Sequence, residues 1–399
     1  MEESMIDTKT AKAALFPGLS FSTSHNVVNR PYSEQSSIID GSNVISTSHK
    51  TNYNGNYGLN ASWTLYNGSK RLNTIEQEKL NNRIAKLDVA TSENSIQESI
   101  TQTYVQILYA AEAVKVNENT LKVSEAQRDR GKELLAAGSI AKSDLAQLEA
   151  QCSTDKYQLV TAQATLQDYK LQLKQLLELD GEEEMQLTLP QLVDADVLSP
   201  LPGKSEVYKS ALVLRPEIEA SRLSVETSKL DIDIARSGYR PNISLSAGIG
   251  TNHTTGSDFT FSEQVKNGWN NSIGVTLSVP IFNNRQTKSS IQKAKLQQQS
   301  SQLELQNQQK ILFKTIEGLW LDANSAQQQY AAATEKLRST QTSFDLVSEQ
   351  FNLGMKNTVD LLTEKNNLLS AQQEQLQAKY MVILNAKLLH FYAGDEINL

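Results

Sequence analysis

The sequence predicts an α+β fold in which a unit of two strands, a very long helix and a shorter helix occurs twice. Three observations predict this fold. Four short segments alternate apolar with polar residues, which is the period of a β-strand. Two segments of about seventy residues place apolar residues three and four apart, which is the period of a helix. The second half of the chain repeats the first at a constant separation of 216 residues.

The repeat keeps its register over both halves. WTLYNGSKRLN at 63–73 matches VPIFNNRQTKS at 279–289, and the segment at 134–151 matches that at 350–367. Three residue pairs stand 216 positions apart, namely Tyr66 with Phe282, Gly138 with Gly354, and Asp144 with Asp360. We therefore predict a first repeat over 12–180, a linker over 181–204, a second repeat over 205–394 and a tail over 395–399.

The strand predictions rest on alternation of apolar and small polar residues. In NSIGVTLSV the apolar residues Ile273, Val275, Leu277 and Val279 are separated by Gly, Thr and Ser. A strand of this kind has one apolar face and one polar face. The same pattern predicts strands at 18–25, 54–65, 242–250 and 270–280, with polar loops at 26–53 and 251–269.

The long helices are predicted over 68–136 and 284–352, and the shorter ones over 140–178 and 358–392. Each carries an apolar seam of the coiled-coil type, which includes Ile96 and Ile100 in 68–136, Cys152 and Leu159 in 140–178, and Val359 and Leu362 in 358–392. The seam of 284–352 consists of Leu312, Ile316, Leu319, Ala323, Ala326, Tyr330, Ala333, Leu337, Thr340, Phe344, Val347 and Phe351. Gly138 and Gly354 end the long helices, because glycine tolerates the positive φ with which many helices terminate. A further helix is predicted over 205–237, where Pro216 suits a first turn.

Composition argues against several functional classes. The net charge of −7 provides no basic surface for nucleic acid. The single cysteine, Cys152, excludes an internal disulfide and is interpreted as a small packed residue. The four histidines, His25, His49, His253 and His390, have no metal-ligand spacing, and three of them lie in loop-like segments. No cluster of nucleophile, base and carboxylate is present in the sequence, so we expect neither an enzyme nor a cofactor.

Four amphipathic strands need something to cover their apolar faces. A strand of about ten residues, tilted by about 45°, spans the apolar band of an outer-membrane barrel. Aromatic residues gather where the strands meet the helices, at Phe16, Tyr66, Tyr239 and Phe282, and Tyr53 and Trp269 mark the loop side. Such girdles are typical of the two lipid interfaces of a membrane barrel. Aromatic residues also favour strand ends in soluble proteins, so this alternative stays open.

A membrane barrel would require several chains. Unpaired backbone groups are not tolerated in hydrocarbon, so each strand edge must pair. Four strands fall short of the smallest barrel of about eight, which two chains could supply, whereas three chains would supply twelve strands. The small polar residues of the inner face favour an open lumen and therefore a homotrimer.

Three sequence features resemble the TolC-like outer-membrane efflux protein family. They are the paired joins WTLYNG and VPIFNN, the paired tips AAGSIAKSDLAQLEAQ and NLGMKNTVDLLTEKNN, and LRPEIEASRLSVE in the second half. The resemblance covers about 12–394. It implies a homotrimer whose twelve-stranded barrel in outer-membrane lipid continues as a long α-helical coiled-coil barrel in the periplasm, with the linker as its equatorial region. Such proteins are passive exit ducts that work with a periplasmic adaptor and an inner-membrane transporter in efflux or type I secretion.

The resemblance also implies a gate at the periplasmic end. In the family, two aspartates one helical turn apart follow the second tip glycine, and Asp360 matches the first of them. The second position is Thr363, with Glu364 beside it. The tips around Gly138 and Gly354 are expected to dock the adaptor.

Family tips are held shut by a tyrosine and an arginine bonded to a polar pair. Phe351 and Lys356 occupy the first two positions, and Ser143 and Asp144 the polar pair. Phe351 cannot donate a hydrogen bond, whereas Lys356 could pair with Asp144. A second interpretation of Asp144 and Asp360 is that they offset the helix dipole in a first turn, and the two interpretations are compatible.

The N-terminus departs from the family pattern. MEESMIDTKTAKAALFPG has no apolar segment of the kind found in signal peptides. We expect the sequence to be a mature or truncated form, or a reading frame that begins at an internal methionine. In that form it would lack one tunnel helix in each protomer.

Two other classes of protein remain as alternatives. A soluble or surface-attached coiled-coil protein without a pore would also carry long seams. A periplasmic adaptor has a long helical hairpin, but it would not duplicate the unit of strands and helices at a separation of 216.

Overall fold

A computed structural model describes residues 1–29, 31, 36–40, 43–47, 51–179, 187, 197–255, 257 and 259–396. The predicted linker at 181–204 therefore lies outside the described residues except for 187 and 197–204, as does the end of the predicted tail. In chain order the elements are α1 (Glu2–Ala13), β1 (Gly18–Asn29), β2 (Ser36–Asp40), β3 (Asn43–Thr47), β4 (Thr51–Asn67), α2 (Lys70–Ala136), α3 (Lys142–Leu176), α4 (Lys204–Leu214), α5 (Pro216–Arg236), β5 (Asn242–Thr254), α6 (Phe261–Asn267), β6 (Asn270–Ser278), α7 (Gln286–Asn352) and α8 (Thr358–Ala393), with a 3-10 turn at Ser237–Tyr239.

The predicted α+β class and the long helices are confirmed. Helices α2 and α7 contain 67 residues each and lie 216 positions apart at both ends. Helices α3 and α8 also begin 216 positions apart. The predicted helix bounds agree with the observed ones within two residues, because long periodic segments carry a strong signal.

The two joins between strand and helix adopt the same backbone conformation. Gly68 and Ser69 have φ of 68° and 69°, and Asn284 and Arg285, 216 positions later, have φ of 51° and 65°. Two successive residues with positive φ therefore separate each strand from the long helix that follows it. In both joins the second of these residues accepts an early helical hydrogen bond, from Asn73 N and Ser289 N.

Residues 1–87 and 220–305 form one compact unit, which contains the sheet. Its four strands are antiparallel in the order β1-β4-β5-β6, with a register shift between Thr64 and Tyr66. Strands β1, β4 and β5 are longer at the loop side than predicted. Strand β6 ends two residues before Pro280, which has no N–H to donate to a neighbouring strand.

The structure differs from the prediction in four elements. Helix α1 and the β2–β3 hairpin were not predicted. Helix α6 lies in a segment assigned to a loop, although Thr260 and Glu263 form the capping box that signals a helix start. The helix predicted over 205–237 is two helices, since Arg215 is extended before Pro216.

Residues 88–219 and 306–399 form the second unit, which is a bundle of helices. The seam of α7 is confirmed, with each of its predicted residues buried or half-buried. In α2 the seam holds from Ile100 onward, whereas Ile96 is 49% exposed. In the first turns of α8 the seam lies one residue earlier than predicted. Leu361 is fully buried there and Val359 is 58% exposed.

Arg215 anchors the break between α4 and α5 to the end of α8. Its guanidinium lies 3.7 Å from the ring centre of Tyr392 and 4.5 Å from that of Phe391, and it donates to Glu98 Oε1 at 3.2 Å. A planar guanidinium suits such combined stacking and ion pairing. Burial, and next the Glu98 carboxylate, raises the pKa of Tyr392 to about 12. The arginine of the LRPEIE motif is therefore a buried structural residue.

Candidate functional site

Both tip turns end their long helix in the same way. Gly138 and Gly354 have φ of 71° and 74°. Ser139 N donates to Leu134 O at 2.8 Å, and Met355 N donates to Gln350 O at 2.8 Å. This is the Schellman arrangement, in which a left-handed residue lets the chain satisfy the last helical carbonyls. The prediction that these two glycines end the long helices is confirmed.

The tip glycines and a helical glycine should respond oppositely to alanine. Gly354→Ala should lower the free energy of unfolding by about 1 kcal/mol, because an L-residue is strained at positive φ. Gly318→Ala, inside α7, should raise it by about 0.5 to 1 kcal/mol, because alanine favours the helix. An added Cβ meets no atom within 4 Å at either site, so backbone preference alone decides the sign. Denaturant unfolding of both variants measures the two changes in the free energy of unfolding. Changes of the same sign and size would contradict the prediction.

The two tip aspartates occupy the first turns of α3 and α8. Asp144 Oδ2 accepts from Ala141 N at 3.0 Å, so this carboxylate caps its helix. Asp360 N donates to Asn357 Oδ1 at 2.8 Å, so here the asparagine is the cap and the Asp360 carboxylate stays available. Lys356 Nζ lies 3.5 Å from Asp360 Oδ2. Both side chains of that pair are 42% exposed.

The expected pair between Lys356 and Asp144 is not formed in this chain. Lys356 contacts Asp360 four residues ahead on its own tip, and Asp144 is occupied by its helix cap. Ser143 is exposed. Each side chain instead contacts a group on its own tip, because residues three or four positions apart in a helical turn are already close in space.

Phe351 does not project from the tip surface. It is 3% exposed and packs with Leu148, Phe344, Leu361 and Leu368 in one apolar cluster. It is therefore an apolar packing residue at the base of the turn.

A buried polar cluster joins three helices of the second unit. Lys365 of α8 contacts both Asp155 of α3 and Ser124 of α2, and the Ser124 hydroxyl donates to Asp155 Oδ2. The three side chains are buried, with exposed fractions of 3%, 1% and 3% for the residues in that order. Gln151 Nε2 donates to Asp155 Oδ1 at 2.9 Å. This cluster was not predicted from the sequence.

The four-stranded sheet separates apolar from polar residues across its two faces. The register places Leu19, Ala61, Ala247 and Ile273 side by side, and in the next apolar row Leu245 lies between Trp63 and Val275. The opposite face carries Ser20, Asn60, Gly248 and Ser272 in one row, and further Ser, Asn, Thr and Gly residues in the others. Because paired residues share a face, these rows place apolar side chains on one face of the sheet and small polar ones on the other.

Within the part of the chain that the structure describes, nothing covers the apolar face of the sheet. Ile273, Val275 and Leu277 are 78%, 67% and 63% exposed, and Leu19 and Phe21 of β1 are similarly exposed. A continuous apolar surface of this extent marks contact with a protein or a membrane.

Aromatic residues lie at both ends of the sheet. Phe16, Tyr66, Tyr239 and Phe282 lie where β1, β4, β5 and β6 meet the helices, and all four are exposed. Trp269 precedes β6 at the opposite, loop end and is exposed as well.

Two histidines at the loop end of the sheet lie in strands, although His253 falls in a segment that was predicted to be a loop. His25 of β1 and His253 of β5 both pair with Gly55 of β4, where an added Cβ would lie 2.5 Å from His253 Nδ1. Tyr53 stacks on His25 and Tyr57 stacks on His253. The rings therefore cover a glycine that has no side chain of its own.

Two searches of the described part of the chain gave negative results. It holds no group of three or more His, Cys, Asp or Glu side chains that could bind a metal ion. Among its helices, none combines the length and the apolarity needed to cross a lipid bilayer.

Comparison with known proteins gives a family match over nearly the whole chain. The sequence profile described as outer membrane efflux protein matches residues 6–178 and 207–395. The outer membrane efflux protein BepC of Brucella suis biovar 1 is 24% identical over 333 residues, which cover 83% of this chain and 70% of BepC. The outer membrane protein TolC of Escherichia coli K12 is 22% identical over 289 residues, which cover 71% of this chain and 58% of TolC. The chain thus spans less than two thirds of the latter relative.

A solved structure supports the same fold. A crystal structure of CusC superposes on the chain with a TM-score of 0.79 at 20% sequence identity, covering 99% of this chain and 87% of CusC. At this level of identity the likeness establishes the fold.

Proposed function

The chain belongs to the outer membrane efflux protein family, and we propose that it is the outer-membrane exit duct of an efflux or secretion system. It would passively conduct substrates that an inner-membrane transporter and a periplasmic adaptor deliver. The family assignment does not support the alternative of a soluble coiled-coil protein without a pore.

The observation that carries this proposal is the two-faced sheet. Its exposed apolar face matches a lipid-facing surface, and its face of Ser, Asn, Thr and Gly matches a water-filled lumen. The exposed aromatic residues at both strand ends, including Tyr66 and Trp269, suit the two lipid interfaces.

The same sheet supports a homotrimer. Strands β1 and β6 are the two edges of the four-stranded sheet, and an open edge is not tolerated in hydrocarbon. Edge pairing between β6 of one protomer and β1 of the next closes a barrel of twelve strands when three chains assemble. The small residues of the inner face then leave room for a lumen.

The tips suit an adaptor. The turn at Gly354 is flanked by Leu353 and Met355, which are 69% and 71% exposed. Exposed apolar side chains at the end of a helical hairpin can pack against a partner's helices. The turn at Gly138, which has the same backbone, would present the second docking point.

Bilayer recording tests the proposed duct. Detergent-purified protein reconstituted into a planar lipid bilayer should form discrete ion-conducting channels, and its mass in detergent should correspond to three chains. A protein that stays monomeric and yields no channels would refute the proposal.

Asp360 is the proposed charged residue of the constriction at the tip. Three symmetry-related carboxylates would concentrate negative charge and bind polyvalent cations. We expect Asp360→Asn to raise the concentration of hexaamminecobalt(III) that half-blocks the channel by about tenfold, which corresponds to about 1.4 kcal/mol. Asp168→Asn, an exposed site elsewhere on α3, should leave the block unchanged. Equal block in all three proteins would remove Asp360 from the gate.

A further inference from the structure

The buried cluster of Ser124, Asp155 and Lys365 occupies positions that an ordinary coiled coil gives to apolar residues. On α8, Lys365 lies four residues after Leu361 and three before Leu368, both of which are buried. On α3, Asp155 lies three residues after the buried Cys152. The ion pair therefore takes the place of one apolar layer inside the seam and does not lie on the helix surface.

Both carboxylate oxygens of Asp155 and the Ser124 hydroxyl have hydrogen-bond partners inside the cluster. One oxygen of Asp155 receives Ser124 and Lys365, and the other receives Gln151. Ser124 donates to Asp155 and accepts from Lys365. A buried ion pair holds when its remaining polar atoms are satisfied in this way.

Along α3 and α8 the buried residues next to the cluster are apolar, which makes the pairing of Lys365 with Asp155 selective for one alignment of these two helices. A shift of α8 by one or two turns along α3 would place the Lys365 ammonium against Leu148 or Cys152, or against Leu159. Asp155 would then be buried without a partner. Apolar contacts are non-directional and tolerate such sliding, whereas an unpaired buried charge does not.

We propose that Asp155, Ser124 and Lys365 are positioning residues that fix the register of α8 against α2 and α3. Asp360 lies five residues before Lys365 on α8, so the same pairing sets the height and rotation at which the Asp360 carboxylate faces the constriction. This inference rests on the proposed function of the tip as a gate.

The decisive variant is Asp155→Leu/Lys365→Met. Apolar replacement of both charges keeps the layer packed, so the protein should assemble with near wild-type thermal stability. Without the ion pair, however, no single register of α8 against α3 is favoured. In bilayers this variant should show several conductance levels, and its half-blocking concentration of hexaamminecobalt(III) should shift at least tenfold. Leu148→Met, an apolar exchange in the adjacent layer, is the control and should keep the wild-type block.

The outcomes separate the two proposals. A double variant with one wild-type conductance level and a block within twofold of wild type would show that the cluster serves stability alone and would overturn the inference. Wild-type protein without channels would instead refute the proposed duct. If the double variant does not assemble, Ser124→Ala keeps both charges but removes the link to α2. It should shift the block at least threefold, and a wild-type value would also overturn the inference.

Discussion

Replacing Asp155 by alanine should lower the free energy of unfolding by about 3 to 5 kcal/mol, because it leaves the Lys365 ammonium buried without a counter-ion. The effect is large since Lys365 is 3% exposed and water cannot take the place of the lost carboxylate. Guanidinium unfolding of the detergent-solubilised protein, followed by far-UV circular dichroism, measures the change.

Two comparisons make this result interpretable. Asp168→Ala removes an exposed carboxylate from the same helix and should change the stability by less than about 0.5 kcal/mol. The double variant Asp155→Leu/Lys365→Met should recover most of the loss. A single variant as stable as Asp168→Ala would mean that the pair is not buried in the assembled protein.

Val275→Arg should lower the free energy of unfolding of the membrane-inserted protein by about 2 to 4 kcal/mol. Val275 lies in the middle row of the apolar face and is 67% exposed, so the new side chain has room among the residues that the structure describes. The expected cost arises from moving a guanidinium into hydrocarbon. The measurement is the fraction of protein that assembles in lipid vesicles, together with its urea midpoint.

Thr276→Arg is the matched control for Val275→Arg. It lies one residue further along β6 on the polar face, beside Ser244. A lumen-facing arginine should leave assembly intact while it alters ion selectivity. If the two variants assembled equally well, the apolar face would not be in contact with lipid.

The strands and long helices could be predicted because their signals are local. Alternation in 270–280 and the seam of 284–352 each reveal one face of one element, and neither depends on what that face contacts. The starts of the long helices were predicted at 68 and 284, two residues before the observed starts at Lys70 and Gln286, since two copies of one join constrain each other. Helix α6 was missed even though its capping box is visible, because the surrounding polar segment outweighed a single local motif.

The candidate gate was predicted less well. Asp360 could be located by its position after Gly354. The partner of each tip residue, however, depends on the distances between side chains in the folded tip. Lys356 contacts Asp360, and Phe351 turns into the core. The buried cluster left a trace in the sequence, a gap in the seam of α3 between Cys152 and Leu159 where a polar residue stands.

Periodicity and repetition alone establish that this chain has four two-faced strands and two long helices that end at glycine. The resemblance to a family of exit ducts rests on particular motifs, namely the paired joins WTLYNG and VPIFNN, the paired tips and LRPEIEASRLSVE. The packed structure was needed to show that Asp155 and Lys365, which lie 210 positions apart, form one ion pair. Periodicity reports which face of an element is apolar, whereas the pairing of two buried charges depends on the rotation and height of helices from different parts of the chain.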